Sequence, residues 1–463
     1  MRRGVLATVC LAFFMTMLDT TIVNIAIPGL RADLGASLGQ ALWALNGYTL
    51  AFAGLLLTFG RLGDRYGHRA VFLAGLAVFT IASGLCGLAQ DPGQLIAVRV
   101  LQGAGAALLM PQTLSIIMTA FPPERRGAAF GVWSGVAGLA TIAGPAVGGV
   151  LVDTLSWRSV FLINLPLGVL AFVAARIVIP PGGAPRQGRA AGFDPIGVLL
   201  SSAGLSVLVF ALLGGELYLA GLGGLLLGAF LAQQRSAQER TPLLPFRLFH
   251  DRNFGLMNAV LMAALFATAG LLITYTLYLQ SVLGLSPTQA GLMLAPPSLA
   301  TLIISPLAGR LADRVNPRLI FGLGLSVFAA GFVLLALFSD GQTNALALLP
   351  GMLLCGVGAG AVFAPANTLA MREVPPELAG AASGVVSTLR QVGTVLGTAV
   401  VGALLQTGTN LVQAMPAALY TVVAVLLATA VATWWTRRPA VQHTHPERNE
   451  GPCARSTSRS LSA

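Results

Sequence analysis

The feature that most constrains the fold of this chain is a charged decapeptide that occurs twice between long apolar segments. Residues 60–69 read GRLGDRYGHR, and residues 309–318, which begin 249 positions later, read GRLADRVNPR. Six of the ten positions are identical. Each copy follows one apolar run and precedes another. This pattern predicts a duplicated membrane protein with two equivalent halves, an organisation typical of secondary transporters.

The composition indicates a membrane environment. Of the 463 residues, 56% are hydrophobic and only 9% are charged, whereas a soluble domain carries about 25% charged residues. A spanning helix needs about 20 mostly apolar residues. The sequence therefore predicts an all-α integral membrane protein with fourteen transmembrane helices. The expected spans are 5–28, 41–60, 70–90, 95–118, 128–151, 159–179, 194–214, 217–233, 254–279, 289–309, 318–338, 344–370, 380–405 and 413–435.

The arginines predict the orientation of these spans. All 27 basic residues are arginine, and the net charge is +11. Those in the loops between spans fall on one side of the membrane, except Arg31 and Arg158. Arginine-rich short loops face the cytoplasm, so we expect a multi-pass protein of a bacterial plasma membrane with both termini cytoplasmic. The same distribution argues against nucleic acid as a partner.

The repeat extends beyond the decapeptide and predicts the domain organisation. Residues 122–134, PPERRGAAFGVWS, align with residues 375–387, PPELAGAASGVVS. Helices 1–6 then match helices 9–14, and helices 7 and 8 form an insertion. The predicted domains are an N-terminal six-helix bundle at 1–180, a two-helix insert with cytoplasmic loops at 181–253, a C-terminal six-helix bundle at 254–438, and a disordered cytoplasmic tail at 439–463.

Three ionisable residues lie well inside spans and break the repeat: Asp19, Arg99 and Arg390. A charge at the membrane centre costs about 2.5–3.5 kcal/mol on insertion scales, so such groups are usually paired or functional. The helical rise places Asp19 and Arg99 at similar depths, ~21 Å and ~22 Å from the cytoplasmic side. They could form a proton-sensitive pair or a static pair that only aids packing. Arg390 lies near the midplane, where it could cap carbonyls or face a wet cavity.

Five motifs, in order, resemble those of a known family. They are LDTTIVNIAIP at 18–28, GRLGDRYGHR at 60–69, RVLQGAGAALLMP at 99–111, GVAGLATIAGPAVGG at 135–149 and WRSVFLINLP at 157–166. The chain resembles the major facilitator superfamily, and within it the fourteen-helix drug:proton antiporter branch of multidrug efflux transporters. The resemblance covers essentially residues 1–438.

The resemblance implies roles for two groups of residues. The loop repeat would latch one access state against the other half, with a plain positively charged turn as the alternative. The glycine-rich fifth helix would seal against the other half, with simple close packing as the alternative. The candidate latch residues are Gly60, Asp64, Arg65, Arg69, Asp313 and Arg314. The candidate residues of the antiporter helix are Gly135, Gly144, Pro145, Gly148 and Gly149.

Further polar residues in the spans are candidates for a substrate cavity, although each could equally make an interhelical hydrogen bond. Tyr275 and Tyr278 could instead belong to an interfacial aromatic belt. The cavity or substrate candidates are Asn24, Asn46, Tyr48, Gln112, Asn258, Tyr275, Tyr278, Arg390 and Gln391.

The sequence thus predicts a proton-coupled antiporter that exports lipophilic small molecules such as drugs, antibiotics or dyes by alternating access. The expected partners are the lipid bilayer, protons and a lipophilic substrate, and the monomer is expected to be functional. The alternative is a proton symporter or facilitator for uptake of a small metabolite. No GxxxxGK[ST] loop, paired carboxylates or metal-ligand cluster occurs, so an enzyme, a cofactor and a bound metal are not expected.

Overall fold

Every regular element in the described part of the chain is a helix. The computed structural model describes residues 2–180, 194–214, 216–238, 242, 244, 246–312, 315–341, 344–372, 374, 379–408 and 410–435. Within these residues, eleven helical segments are long and apolar enough to cross a membrane. The fold is therefore that of an all-helical, multi-pass membrane protein. The predicted tail at 439–463 lies outside the described residues, as do Asp313 and Arg314.

The N-terminal half consists of long helices joined by short turns. We call the end of the bundle where α1 begins the basal end and the end where α1 stops the distal end. Ser37 caps α2 through a reciprocal capping box with Gln40, and Asp91 caps α4 by accepting from the Gln94 backbone. The helices are α1 Arg2–Leu34, α2 Leu38–Tyr66, α3 His68–Gly87, α4 Pro92–Ala120, α5 Pro123–Thr154, α6 Ser159–Leu162 and α7 Asn164–Val178.

Two helices precede the C-terminal half. They are α8 Pro195–Gly214 and α9 Leu217–Ser236, and they pack against each other. At 1.5 Å per residue, each is about 30 Å long, which matches a hydrocarbon core. The C-terminal half contains α10 Arg252–Leu277, a π-helical turn Tyr278–Val282, α11 Pro287–Met293, α12 Ala295–Ala312, α13 Pro317–Phe338, α14 Leu349–Arg372, α15 Ala379–Leu405 and α16 Leu411–Ala432.

The predicted spans 159–179 and 289–309 are each broken in two, which the sequence analysis did not anticipate. The first becomes α6 and α7, because Pro166 has no N–H to donate to the carbonyl of Leu162. The second becomes α11 and α12, where Pro296 and Pro297 stand in the first turn of α12. Both breaks lie near the distal end of the bundle.

The two halves meet along two seams. One seam joins α2 to α15, and the other joins α5 to α11 and α12. The inserted helix α8 packs on both α2 and α15, where Val209 contacts Leu50 and Val395. The insert therefore covers one seam and leaves the other uncovered.

Candidate functional site

A buried ion pair lies at the centre of the N-terminal half. Arg99 on α4 donates from Nη1 to Oδ2 of Asp19 on α1 over 2.5 Å. The Arg99 and Asp19 side chains are only 1% and 0% exposed. The predicted pairing of these two residues is therefore present in the structure, whereas its role in proton coupling stays a prediction.

Neighbouring amides complete the coordination of the Asp19 carboxylate. Gln102, one helical turn beyond Arg99, donates from Nε2 to Oδ1 of Asp19 over 2.9 Å and accepts from Arg99 Nη1 over 2.7 Å. Asn164 donates to the same Asp19 oxygen over 3.2 Å. Ser83 accepts from both amides and donates to the carbonyl of Phe161. Asp19 thus accepts three hydrogen bonds from three separate side chains.

The Arg99 guanidinium is held on its remaining sides by a carbonyl and two rings. Its Nε donates to the carbonyl of Ala44 over 3.0 Å. Its Cζ lies 4.2 Å from the ring centroid of Tyr48 and 5.6 Å from that of Phe161. Cation–π contacts of this kind strengthen where water is excluded. These contacts hold the Arg99 guanidinium in a fixed position opposite Asp19.

The corresponding positions of the C-terminal half carry no charge. An offset of 253 places Met352 opposite Arg99 and Cys355 opposite Gln102, and an offset of 249 places Phe332 opposite Ser83. Met352, Cys355 and Phe332 are all buried. No acid occurs between Thr268 and Leu272, the region that matches Asp19. The same helical scaffold therefore packs without the ion pair.

The residues next to Asp19 connect the ion pair to α5, the glycine-rich helix. A Cβ at Gly144 would overlap the side chain of Thr21, and a Cβ at Gly148 would lie 2.7 Å from Ile22. These two glycines therefore let α5 pack closely on α1. Asp19 precedes Thr21 and Ile22 by two and three positions on α1, so a change at Asp19 would lie close to this contact.

Other residues of α5 make the contact between the halves. A Cβ at Gly149 would overlap the carbonyl oxygen of Pro287, and a Cβ at Gly291 would overlap that of Pro145. Helix α5 thus touches α1 of its own half and α11 of the other half. A Cβ at Gly135 would meet no atom of another helix within 4 Å, so Gly135 takes no part in this close packing.

Hydrogen bonds between the halves also lie toward the distal end. Gln280 of the π-helical turn donates to the carbonyl of Ile25 over 3.1 Å, and Thr288 donates to Asp153 over 2.9 Å. Thr398 on α15 donates to Asn46 on α2. These contacts join the two halves toward the distal end.

The structure describes the loop repeat only in part. The backbones of Gly60, Asp64 and Arg65 belong to α2, but their side chains lie outside the described ones, so their latch role stays a prediction. Arg69 donates to the carbonyl of Arg176 over 2.6 Å. That contact ties α3 to α7 within the same half.

The turn inside the first decapeptide requires glycine. Gly67 has a φ of +88°, which side chains with a Cβ rarely adopt. A Cβ at Gly63 would overlap Oε1 of Gln112, which lies 2.8 Å from Nδ1 of His68. Asn316 stands at the Gly67 position of the second copy with a φ of −59°. The two loops therefore turn differently.

Most of the cavity candidates are buried in this structure, and their role in binding a substrate stays a prediction. Tyr275 bonds Ser339 over 2.8 Å, and Tyr278 accepts from the backbone of Gly341 over 3.0 Å, so these buried tyrosines belong neither to a cavity wall nor to an interfacial belt. The other buried candidates are Asn24, Asn46, Tyr48, Gln112 and Asn258.

Arg390 and Gln391 differ from the other cavity candidates. Both side chains on α15 are half-buried. Among the described residues, the Arg390 guanidinium has no hydrogen-bond or ion-pair partner. Arg390 thus caps no carbonyl among the described residues, and its role in a cavity stays a prediction.

Comparisons with known proteins match this architecture. The family model described as Major Facilitator Superfamily matches residues 9–398 and 259–462. The chain belongs to the major facilitator superfamily. It is therefore a multi-pass membrane transporter rather than an enzyme.

Relatives and a solved structure agree with this assignment. An uncharacterized MFS-type transporter of Mycobacterium tuberculosis is 40% identical over 395 residues, which cover 84% of this chain and 67% of that protein. The tetracenomycin C resistance and export protein of Streptomyces glaucescens is 35% identical, with 86% and 75% covered. A bacterial homolog of the human lysosomal transporter Spinster, in an inward-facing and occupied conformation, has a TM-score of 0.66 at 17% identity, with 94% and 96% covered. This last likeness concerns the fold.

The sequence analysis assigned no role to three members of the site: Gln102, Asn164 and Ser83. Asn164 lies in WRSVFLINLP, directly after the break between α6 and α7, and Ser83 lies among apolar residues of α3. An amide inside a span must find a partner in protein because lipid offers none. That signal could have identified Asn164. Nothing in the sequence distinguishes Ser83 from a serine that bonds its own helix.

Proposed function

We propose that this chain is a proton-coupled antiporter that exports lipophilic small molecules by alternating access. In this proposal the fourteen spans are arranged as six, two and six, and α6 with α7 and α11 with α12 each form one broken span. The basal end, with both termini, faces the cytoplasm, because the arginine-rich loops lie there. The contacts that join the two halves at the distal end then correspond to a state whose cargo space is closed to the outside.

The observation that carries the proposal is the buried Asp19–Arg99 pair. The equivalent positions of the C-terminal half carry no such pair. Replacing a buried ion pair by apolar residues of similar volume is often neutral or stabilising. The C-terminal half shows such a replacement at Met352 and Cys355. The N-terminal half therefore keeps the charges for a reason other than stability, and a reversible protonation of Asp19 is that reason.

The geometry suggests how protonation would move the helices. A proton on Asp19 removes the negative charge that balances Arg99, while Gln102 Oε1 and the carbonyl of Ala44 still hold the guanidinium. The grip of α4 on α1 weakens. Because Thr21 and Ile22 pack on α5, and α5 packs on α11, a shift of α1 would reach the distal contact between the halves.

The direction of transport is supported by a relative and by the energy source. The Streptomyces glaucescens relative is named a resistance and export protein. The absence of a phosphate-binding loop from the sequence leaves ion gradients to drive transport. Export of a lipophilic compound against its gradient then requires an inward flow of protons.

The test measures dye transport in everted membrane vesicles that contain the full chain. We expect uptake that collapses when a protonophore dissipates the proton gradient. Asp19→Asn should abolish gradient-driven uptake while the protein still reaches the membrane. The matched control is Asp33→Asn, because Asp33 also lies on α1 and also pairs with an arginine, Arg158, but at the exposed distal end.

Three results would contradict the proposal. Dye movement that equilibrates regardless of the gradient would indicate a facilitator. Uptake in the opposite direction together with protons would indicate a symporter. Full gradient-driven transport by Asp19→Asn would remove Asp19 from the coupling step.

A further inference from the structure

A polar stripe on α15 lies between the two faces by which this helix packs. Gly393 and Gly397 approach the carbonyl oxygens of Met262 and Phe266 on α10, where a Cβ would overlap either oxygen. On another side of α15, Thr398 bonds Asn46 of α2. The residues one and two turns before Thr398 are Thr394 and Arg390.

The stripe faces the interior rather than lipid. Thr394 and Arg390 are both half-buried, and Thr394 donates to the carbonyl of Arg390 over 3.3 Å. The lipid-shielding insert α8 contacts a third side of α15, at Val395 and Ala399. Arg390 is therefore placed toward the space bounded by α2 and α10, about 16 Å from the start of α15 by helical rise.

Among the side chains that the structure describes, none carries a negative charge that pairs with Arg390. Asp19 is the one acidic residue in the middle of a predicted span, and its carboxylate already accepts from Arg99, Gln102 and Asn164. No described carboxylate is within ion-pair distance of Arg390. The duplication supplies no counterpart either, because Ala137 occupies the equivalent position of the first half. Such a residue is costly within a membrane unless it has a function.

We infer that Arg390 binds an acidic group of the transported compound, so that the cargo class is lipophilic organic anions such as aromatic carboxylates. This inference rests on the proposed export function and deepens it. A guanidinium binds a carboxylate through two parallel hydrogen bonds, and the pairing strengthens where water is scarce. The side-chain amide of Gln391, the next residue along α15, provides a further hydrogen-bond donor, whereas the Thr394 hydroxyl already donates to the carbonyl of Arg390. The same charge repels a lipophilic cation.

The experiment uses two probes that share an aromatic ring and differ in charge: pyrenebutyrate and pyrenebutyl-trimethylammonium. Gradient-driven uptake of each is measured in everted vesicles containing the wild-type chain, Arg390→Gln or Arg390→Lys. We expect the wild-type chain to favour the anion. Arg390→Gln should lower anion uptake by about ten- to hundredfold, which is the loss of a charge-assisted pair, and should leave or raise cation uptake. Arg390→Lys should retain part of the preference.

The matched control is Arg372→Gln, which removes the same charge from the exposed basal end of α14 and should leave both rates unchanged. Wild-type uptake of the cation alone overturns the inference and leaves proton-driven export standing. Anion uptake that Arg390→Gln does not lower also overturns it. The inference about Arg390 is also overturned if the wild-type chain exports other compounds but takes up neither probe. If the wild-type chain shows no gradient-driven transport of any compound, the proposed function itself is overturned. If Arg390→Gln does not fold, the preference of the wild-type chain between the anionic and the cationic probe still tests the inference.

Discussion

The N- and C-terminal halves share a backbone plan but differ in what fills it. Gly103 and Gly105 let α4 approach Tyr48 on α2 and Phe79 on α3, and Gly356 and Gly358 let α14 approach Pro297 and Phe328 in the equivalent way. These contacts belong to the duplicated scaffold. In the first half the scaffold encloses an ion pair.

In the second half the scaffold encloses Met352, Cys355 and Phe332. The comparison predicts that packing and function can be separated: the contacts that both halves share should serve folding, and the charged network of the first half should serve transport.

The largest effect is expected when the ion-pair residues of the first half are replaced by apolar residues like those of the second half. Arg99→Met alone should destabilise the protein by about 3–5 kcal/mol, because it leaves Asp19 buried without its cation. Asp19→Leu combined with Arg99→Met replaces the ion pair by apolar residues, as in the second half, and should recover most of the stability that Arg99→Met loses. Thermal unfolding in detergent measures stability, and vesicle uptake measures transport.

Both variants should lose proton-driven transport. A double variant that is as unstable as Arg99→Met would show that the pair is needed for packing. A double variant that still transports would show that the pair has no role in coupling.

The glycines that both halves share test whether the two halves make the same packing contact. Gly103→Ala and Gly356→Ala each place a Cβ against a carbonyl oxygen of the facing helix, so each should lower stability by a similar amount, about 1–3 kcal/mol. Gly221→Ala on α9 is the control, since nothing lies within 4 Å of its Cβ position. Unequal losses at positions 103 and 356 would show that the halves do not share this contact.

The smallest expected difference concerns the two loops. Asp64→Asn should slow turnover by about two- to fivefold, the effect of a charge at a helix terminus. Asp313→Asn should slow it less, because the second copy has Ala312 and Asn316 where the first has Gly63 and Gly67. Initial rates of vesicle uptake at saturating dye measure both. Equal effects would mean that the differing turns do not influence the latch.

Much of the fold could be predicted from the sequence because its strongest signals are local. Apolar runs give the helices, and the repeated decapeptide gives their equivalence. The breaks at Ile163 and Leu294 were missed because an apolar run does not reveal which carbonyl loses its partner to a nearby proline. Helix ends such as Leu34 extend beyond the apolar run because the helix continues past the membrane core.

The candidate site was only partly predictable for a related reason. Asp19 and Arg99 stand out as charges in apolar surroundings, and helical rise alone places them at one depth. Ser83 and Asn164 are small polar residues whose partners lie on other helices. Which way a helix is rotated depends on packing over the whole bundle. For the same reason Tyr275 and Tyr278 pack inward, where the sequence left their facing direction open.

The unpaired arginine on α15 has an electrical consequence. If the cargo leaves as an anion while a proton enters, both movements carry charge in the same sense across the membrane. One exchange of this kind would be electrogenic and would move two charges, each coupled to the membrane voltage by about 2.3 kcal/mol per 100 mV. A cationic cargo would cancel the charge of the proton and leave only the pH difference. Arg390 would thereby set how strongly the cell's voltage drives export.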